Sequence, residues 1–189
     1  MNIHVAGTDP YAWPYDGRLV GNELALVLAG WDDGWTGRVV DPAPAAARCA
    51  ALAEAVAAFG GLVIAVHHAG SRSSALAVDH LALAAHGIDG FHGGPLDDVL
   101  RSNGRTHLLI GGMGLEAPVH STLRAANDRG YEALLLADAA APLRDDLVEA
   151  SLKTVTMSGG IFGALGDTAA VLAALAPAVA HRSGQEASP

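Results

Sequence analysis

Cysteine occurs once in this 189-residue chain, at Cys49, which excludes an internal disulfide and any zinc site built from several thiolates. Lysine is as scarce: Lys153 stands alone beside ten arginines, and twenty acidic against eleven basic side chains leave a formal charge of −9. With no cluster of Arg or Lys to track phosphates, nucleic acid is excluded as a partner. No apolar run reaches the roughly 18 residues that a membrane span requires, and the N-terminus has neither a basic start nor a signal-type apolar stretch. The expectation is a cytoplasmic protein without a membrane anchor. Aromatics make up 5% of the chain and charged residues 16%, but 51% is apolar, enough for one globular domain with a full core. The alanine-rich, lysine-poor composition fits a GC-rich bacterial genome.

The apolar residues fall into short runs separated by helical stretches. Leu24 to Ala29, ended by Gly30, reads as a strand buried on both faces. Asp41 and Pro42 open a helix over Ala43 to Phe59, stopped by Gly60 and Gly61, and Leu62 to Val66 is a second strand. The region from Ala69 to Gly94 combines a Ser-rich turn, an Ala/Leu/His stretch of helical appearance and a glycine-rich segment around Phe91 and His92, and is the expected functional loop. Beyond it come a short helix over Leu96 to Ser102, a strand over His107 to Ile110, a helix over Pro118 to Arg129, a strand over Glu132 to Leu136, and helices over Asp145 to Val155 and Thr168 to Leu175. This alternation predicts a single-domain α/β fold of three layers, Rossmann-like, with a mainly parallel sheet covered by helices on both faces. The domain is expected over residues 1–180, with 1–22 as an N-terminal arm and 181–189 as a disordered tail.

In such sheets ligands bind at the carboxyl ends of the strands. That rule selects Gly30 to Trp35, His67 and His68, Gly111 to His120, and Asp138. The glycines at 111, 112 and 114 do not make a nucleotide loop, because neither GxxxxGK[ST] nor a complete GxGxxG with a downstream acid is present.

The segment from Gly112 through Pro118-Val119-His120-Ser121-Thr122 to Asp128-Arg129-Gly130-Tyr131 resembles the nucleophile region of the isochorismatase-like cysteine hydrolases. Ala25 to Ala29, Phe91 to Leu100 and Ser158-Gly159-Gly160-Ile161-Phe162-Gly163 resemble the family's first strand, its loop before the nucleophile strand and its late glycine-rich element. The resemblance spans nearly the whole chain. A leader, Tyr11-Ala12-Trp13-Pro14-Tyr15-Asp16-Gly17, is similar to the branch acting on small ureido and carbamoyl compounds such as biuret, although a Trp-Pro-Tyr cluster is more often a packed arm than a substrate contact.

The resemblance implies an aspartate, a lysine and a cysteine acting together in hydrolysis. The matching positions here are Gly30, Ala85 and Pro118, none of which has a side chain able to do that work. Proline also lacks the backbone N–H that helps hold the oxyanion in this family. Cys49 lies within an Ala-rich helix and reads as a buried, inert thiol. Lys153 lies on a surface helix and receives no role.

The remaining pocket candidates are Trp31, Asp32 (with Asp33 and Trp35 beside it), His68, His92, Glu116, His120 and Trp13. They offer enough imidazole and carboxylate for acid–base work or a metal, but their spacing matches no strong metal motif, and the Asp-x-His arrangement that the resemblance associates with nicotinamidase metal sites is absent. For Asp32 and Asp33 the simpler reading is an exposed loop acid near a helix start. No cofactor is predicted. Two functions stay open: a binding or regulatory subunit that keeps the fold without the hydrolysis, or an enzyme on a small ureido- or amide-like compound using His, Asp or Glu. The resemblance further implies self-association or pairing with an active homologue.

Overall fold

A computed structural model describes residues 3–185, with side-chain surroundings through residue 176. Its centre is a six-stranded, all-parallel sheet of β1 (Leu24–Ala29), β2 (Leu62–His68), β3 (Leu81–Ala85), β4 (His107–Met113), β5 (Glu132–Ala141) and β6 (Ala164–Gly166) in the order β3-β2-β1-β4-β5-β6. The helices are α1 (Asp33–Thr36), α2 (Pro42–Phe59), α3 (Leu96–Ser102), α4 (His120–Asp128), α5 (Val148–Thr156) and α6 (Thr168–Gln185).

Strand alternation divides the core in two. Leu24, Leu26 and Leu28 point to one face and pack with Cys49, Leu52 and Val56 of α2 and Val171 and Leu175 of α6. Ala25, Val27 and Ala29 point to the other and meet Leu96 and Leu100 of α3, Leu123 and Ala126 of α4, and Val155 of α5. Every residue of β1 and β4 is buried, as expected for strands covered on both faces. The predicted three-layer α/β domain is therefore the observed fold. Among the described residues no helix is long and apolar enough to cross a membrane.

Several boundaries differ from the sequence reading. The Ala/Leu/His stretch of helical appearance forms β3, an edge strand paired only with β2 through Ile64↔Leu81 to His68↔Ala85; its five residues go from exposed to buried without the alternation that would mark a strand. The helix expected to start at Pro118 starts at His120, after a π-helical turn over Leu115–Val119. Proline is the cause: having no N–H, Pro118 cannot donate to the carbonyl of Gly114, and the N–H of Val119 reaches it instead at 3.2 Å, one residue further on. The helix expected from Asp145 opens as a 3-10 turn over Asp145–Leu147. β6 went unrecognised because its three residues give no periodicity. The expected tail from His181 is helical as far as Gln185 in α6, and residues 186–189 lie outside the described residues.

Candidate functional site

The strand order reverses between β1 and β4, so the crevice at their carboxyl ends is where a fold of this kind holds a ligand. Gly30 ends β1 there with φ +62, and a Cβ on it would lie 2.5 Å from the Met113 carbonyl oxygen and 3.1–3.2 Å from the Pro118 ring. The proline ring thus occupies the space into which a side chain at residue 30 would project. Gly30, Ala85 and Pro118 line one cavity together with Val66, His67, His68, Asp89 and Gly90, and its volume is about 10 Å³. That is room for a single water at most. The loop between β3 and α3 closes it: Asp89 Oδ1 accepts from the N–H groups of Phe91 and His92, and the Gly90 N–H donates to the buried Thr122 hydroxyl at 2.9 Å.

Immediately outside this plugged crevice is an open cleft of about 350 Å³ lined by Asp32, Gly34, Trp35, Arg38, His68, Ser71, His86, Gly87 and Ile88. The expectation of an exposed loop acid fails at Asp32, which is fully buried. Its Oδ1 accepts from the Trp35 N–H and caps α1, and its Oδ2 accepts from the His68 N–H, both at 2.9 Å. Both oxygens are engaged, and the carboxylate ties the β1 loop to the end of β2 as a positioning group. Asp33 is the exposed member of the pair, and its Oδ1 accepts from the Arg72 N–H. The groups left free to face a ligand are cationic or neutral: Arg38, whose guanidinium lies over the Trp35 ring at 5.0 Å, the imidazoles of His68 and His86, and the Ser71 hydroxyl.

The other candidates do not gather in this cleft. Trp31 is buried in the core under β1. Trp13 is fully buried at the opposite end of the sheet, edge-on to His107 with centroids 6.0 Å apart, because the arm folds back through the Val5 N–H to the Trp13 carbonyl. His92 is exposed on the loop before α3. Glu116 accepts from the N–H groups of Leu143 and Arg144, fastening the π-turn to the end of β5. His120 lines a separate hollow of about 320 Å³ beside α5 with Glu116 and Arg124. Arg124 Nε donates to its Nδ1 at 3.3 Å, which puts the ring proton on Nε2, facing Thr154 Oγ1 at 2.9 Å. Burial and the Arg124 charge lower the pKa of His120. Asp138 pairs with Arg48 and accepts from both the N–H and hydroxyl of Thr168 at the start of α6.

Arg38, Ser71, His86 and Ile88 were missed. Each lies on a loop after α1 or around β3, where sequence periodicity carries no signal. Cys49 is fully buried and donates to the Ala139 carbonyl; burial pushes its thiol up to about 12, so it is protonated at neutral pH. Lys153 pairs with Glu149 at the exposed surface of α5.

The fold has counterparts among solved structures. An isochorismatase family protein from Burkholderia thailandensis is 23% identical over 82% of this chain and 96% of its own, with a TM-score of 0.72. A cysteine hydrolase from Pseudomonas syringae pv. phaseolicola is 19% identical over 85% and 95%, also at 0.72, and a nicotinamidase from Staphylococcus aureus is 14% identical over 77% and 99% at 0.65. Residues 25–169, from the second position of β1 to the first turn of α6, match the isochorismatase domain model. The chain belongs to the isochorismatase family.

Proposed function

We propose that this chain has lost the cysteine-hydrolase reaction and acts as a ligand-binding or regulatory subunit on the isochorismatase fold. The observation that carries this reading is the plugged crevice. The three positions that resemble the family's aspartate, lysine and cysteine are Gly30, Ala85 and Pro118; they bound a common space of about 10 Å³, and the Pro118 ring stands where a side chain at residue 30 would need to go. None of these three residues carries a nucleophile or a general base, and residue 118 has no N–H to offer an oxyanion. Cys49, held neutral inside the core, is no substitute.

The ligand belongs in the neighbouring cleft, whose volume suits a small molecule. Arg38 over Trp35, with His68, His86 and Ser71 nearby, favours a small planar polar compound bearing a carboxylate or carbonyl, in keeping with the ureido-type leader of the sequence. The leader itself packs away from the cleft, so its contribution is structural. Association with a second copy or with an active homologue fits a subunit of this kind, and light scattering on the purified protein measures it directly.

The test is a thermal-shift screen of small carboxylates and ureido or amide compounds, followed by assays of their turnover. Binding without turnover, weakened at least about tenfold by Arg38→Ala, is the expected result. A second reading, catalysis by imidazole, is favoured by His68 and His86 sharing one cleft. Turnover of a ureido or amide compound that His68→Ala abolishes would establish it and end the first.

A further inference from the structure

The end of the sheet opposite the crevice carries a second constellation. His107 and Glu132 are the first residues of β4 and β5 and are direct partners in the parallel register. His107 Nε2 and Glu132 Oε2 are 3.3 Å apart, and the imidazole is nine-tenths buried. Asp16 reaches the same point from the N-terminal arm, so that one ligand atom from each of the three residues lies within 4.8 Å of the other two.

Three features distinguish this group from an ordinary surface ion pair. Two carboxylates face one imidazole, and among the described residues no arginine or lysine pairs with either. The nearest basic residue of the arm, Arg18, turns away to Glu23, so even a protonated His107 leaves one negative charge over. The two strand residues also have a second atom held: Thr106 Oγ1 meets His107 Nδ1 at 3.0 Å, and the Tyr15 N–H donates to Glu132 Oε1. Outer partners of this kind orient metal ligands. Finally, an ion held tetrahedrally at about 2.0–2.1 Å from its ligands sets them roughly 3.3 Å apart. The His107–Glu132 separation already has that value, and Asp16, exposed on the arm, can close the remaining distance by a side-chain rotation.

We infer that Asp16, His107 and Glu132 form a divalent-cation site, suited to zinc by its mixed imidazole and carboxylate ligands, that fastens the N-terminal arm to the strand starts. The site is independent of the plugged crevice and stands whether or not the chain is an enzyme. Its role is structural, because Trp13 and the arm seal it from the cleft at the other end of the sheet.

Full-length protein stripped of metal and titrated with Zn²⁺ by calorimetry is expected to bind one ion. At a hundredfold excess of Zn²⁺ over the dissociation constant, Tm should rise by about 5–10 °C. Asp16→Asn and Glu132→Gln, both conservative, should retain the fold and weaken binding by at least about tenfold. Co²⁺ bound in place of Zn²⁺ should give the visible absorption of a tetrahedral site and quench Trp13, whose ring lies 6.0 Å from that of His107. Absence of saturable one-to-one binding overturns the inference. So does Zn²⁺ binding that survives Asp16→Asn and Glu132→Gln but disappears when His68 and His86 are both changed to Ala, which would move the ion to the cleft.

Discussion

If the crevice is filled by interlocking of Gly30 with Pro118, the smallest possible intrusion at residue 30 should be costly. Gly30→Ala adds one methyl group to a residue at φ +62, with a backbone oxygen 2.5 Å away and the Pro118 ring 3.1–3.2 Å away. Left-handed backbone costs an L-residue about 1–2 kcal/mol, and overpacking a rigid site about 1–3 kcal/mol. The Met113 carbonyl belongs to a fully buried strand and yields little, so the sum should be about 3 kcal/mol, or a Tm lower by about 6–12 °C for a chain of this size. Gly30→Asp should be worse, since it adds a carboxylate to a space of about 10 Å³ with no arginine or lysine on its walls. Urea denaturation followed by circular dichroism measures both. Combining Gly30→Ala with Pro118→Ala removes the contact to the ring Cγ but keeps those to Met113 and to Cβ, so part of the loss should return, by about 0.5–1 kcal/mol of coupling. Stability of Gly30→Ala within about 0.5 kcal/mol of the parent would refute the interlocked crevice and reopen the space for catalytic side chains.

Asp32→Ala removes a helix cap and leaves the His68 N–H without its acceptor, and should lower stability by about 1–3 kcal/mol in the same denaturation assay. Cys49 should resist a thiol-specific disulfide reagent at pH 8 in the native protein and react fully in urea, because burial holds the thiol neutral; rapid stoichiometric labelling of the folded chain would contradict this. The lowered pKa of His120 means that the unfolded chain takes up a proton more readily than the folded one. Its contribution to stability is therefore present above about pH 6.5 and is lost as the pH falls through the lower folded value. His120→Gln should flatten the fall in stability between pH 7 and pH 5, and an unchanged slope would show that other groups set it.

The sheet was legible where strands are buried on both faces, because an unbroken apolar run as short as Leu24 to Ala29 or Leu108 to Ile110 suits a doubly covered strand better than a helix. The edge was not: β3 is half exposed, and its alanines fit a helix as well as a strand. Family-like residues outside the crevice proved to hold one another rather than a ligand. Phe91 stacks on Tyr131, Arg129 and Arg101 lie over those two rings, Tyr131 donates to Asp97 Oδ1 at 2.6 Å, and Arg124 covers Phe162 at 3.9 Å. The candidate site was legible only in part. Strand ends pointed to Gly30, Asp32, His68 and Pro118, but the cleft also depends on Arg38, Ser71 and His86 from loops whose paths no local pattern determines. Glu116 and His120, near Pro118 in sequence, are carried away from it by the turn of the chain into α4.

That turn also sets the position of the cleft. Proline at position 118 lacks the N–H that a straight α-helical start would use, and the chain takes a wider turn in which the Val119 N–H reaches Gly114 instead. The ring is thereby lodged against Gly30, and the loop carrying Asp89 and Gly90 closes over both. A ligand can then approach no deeper than Trp35, His68, Gly87 and Ile88, which form the wall shared between the plugged space and the open cleft. On the proposed reading, recognition in such a cleft would rest on Arg38, His68 and His86. Affinity for an anionic ligand should therefore fall as salt rises. Binding indifferent to salt would place the ligand elsewhere.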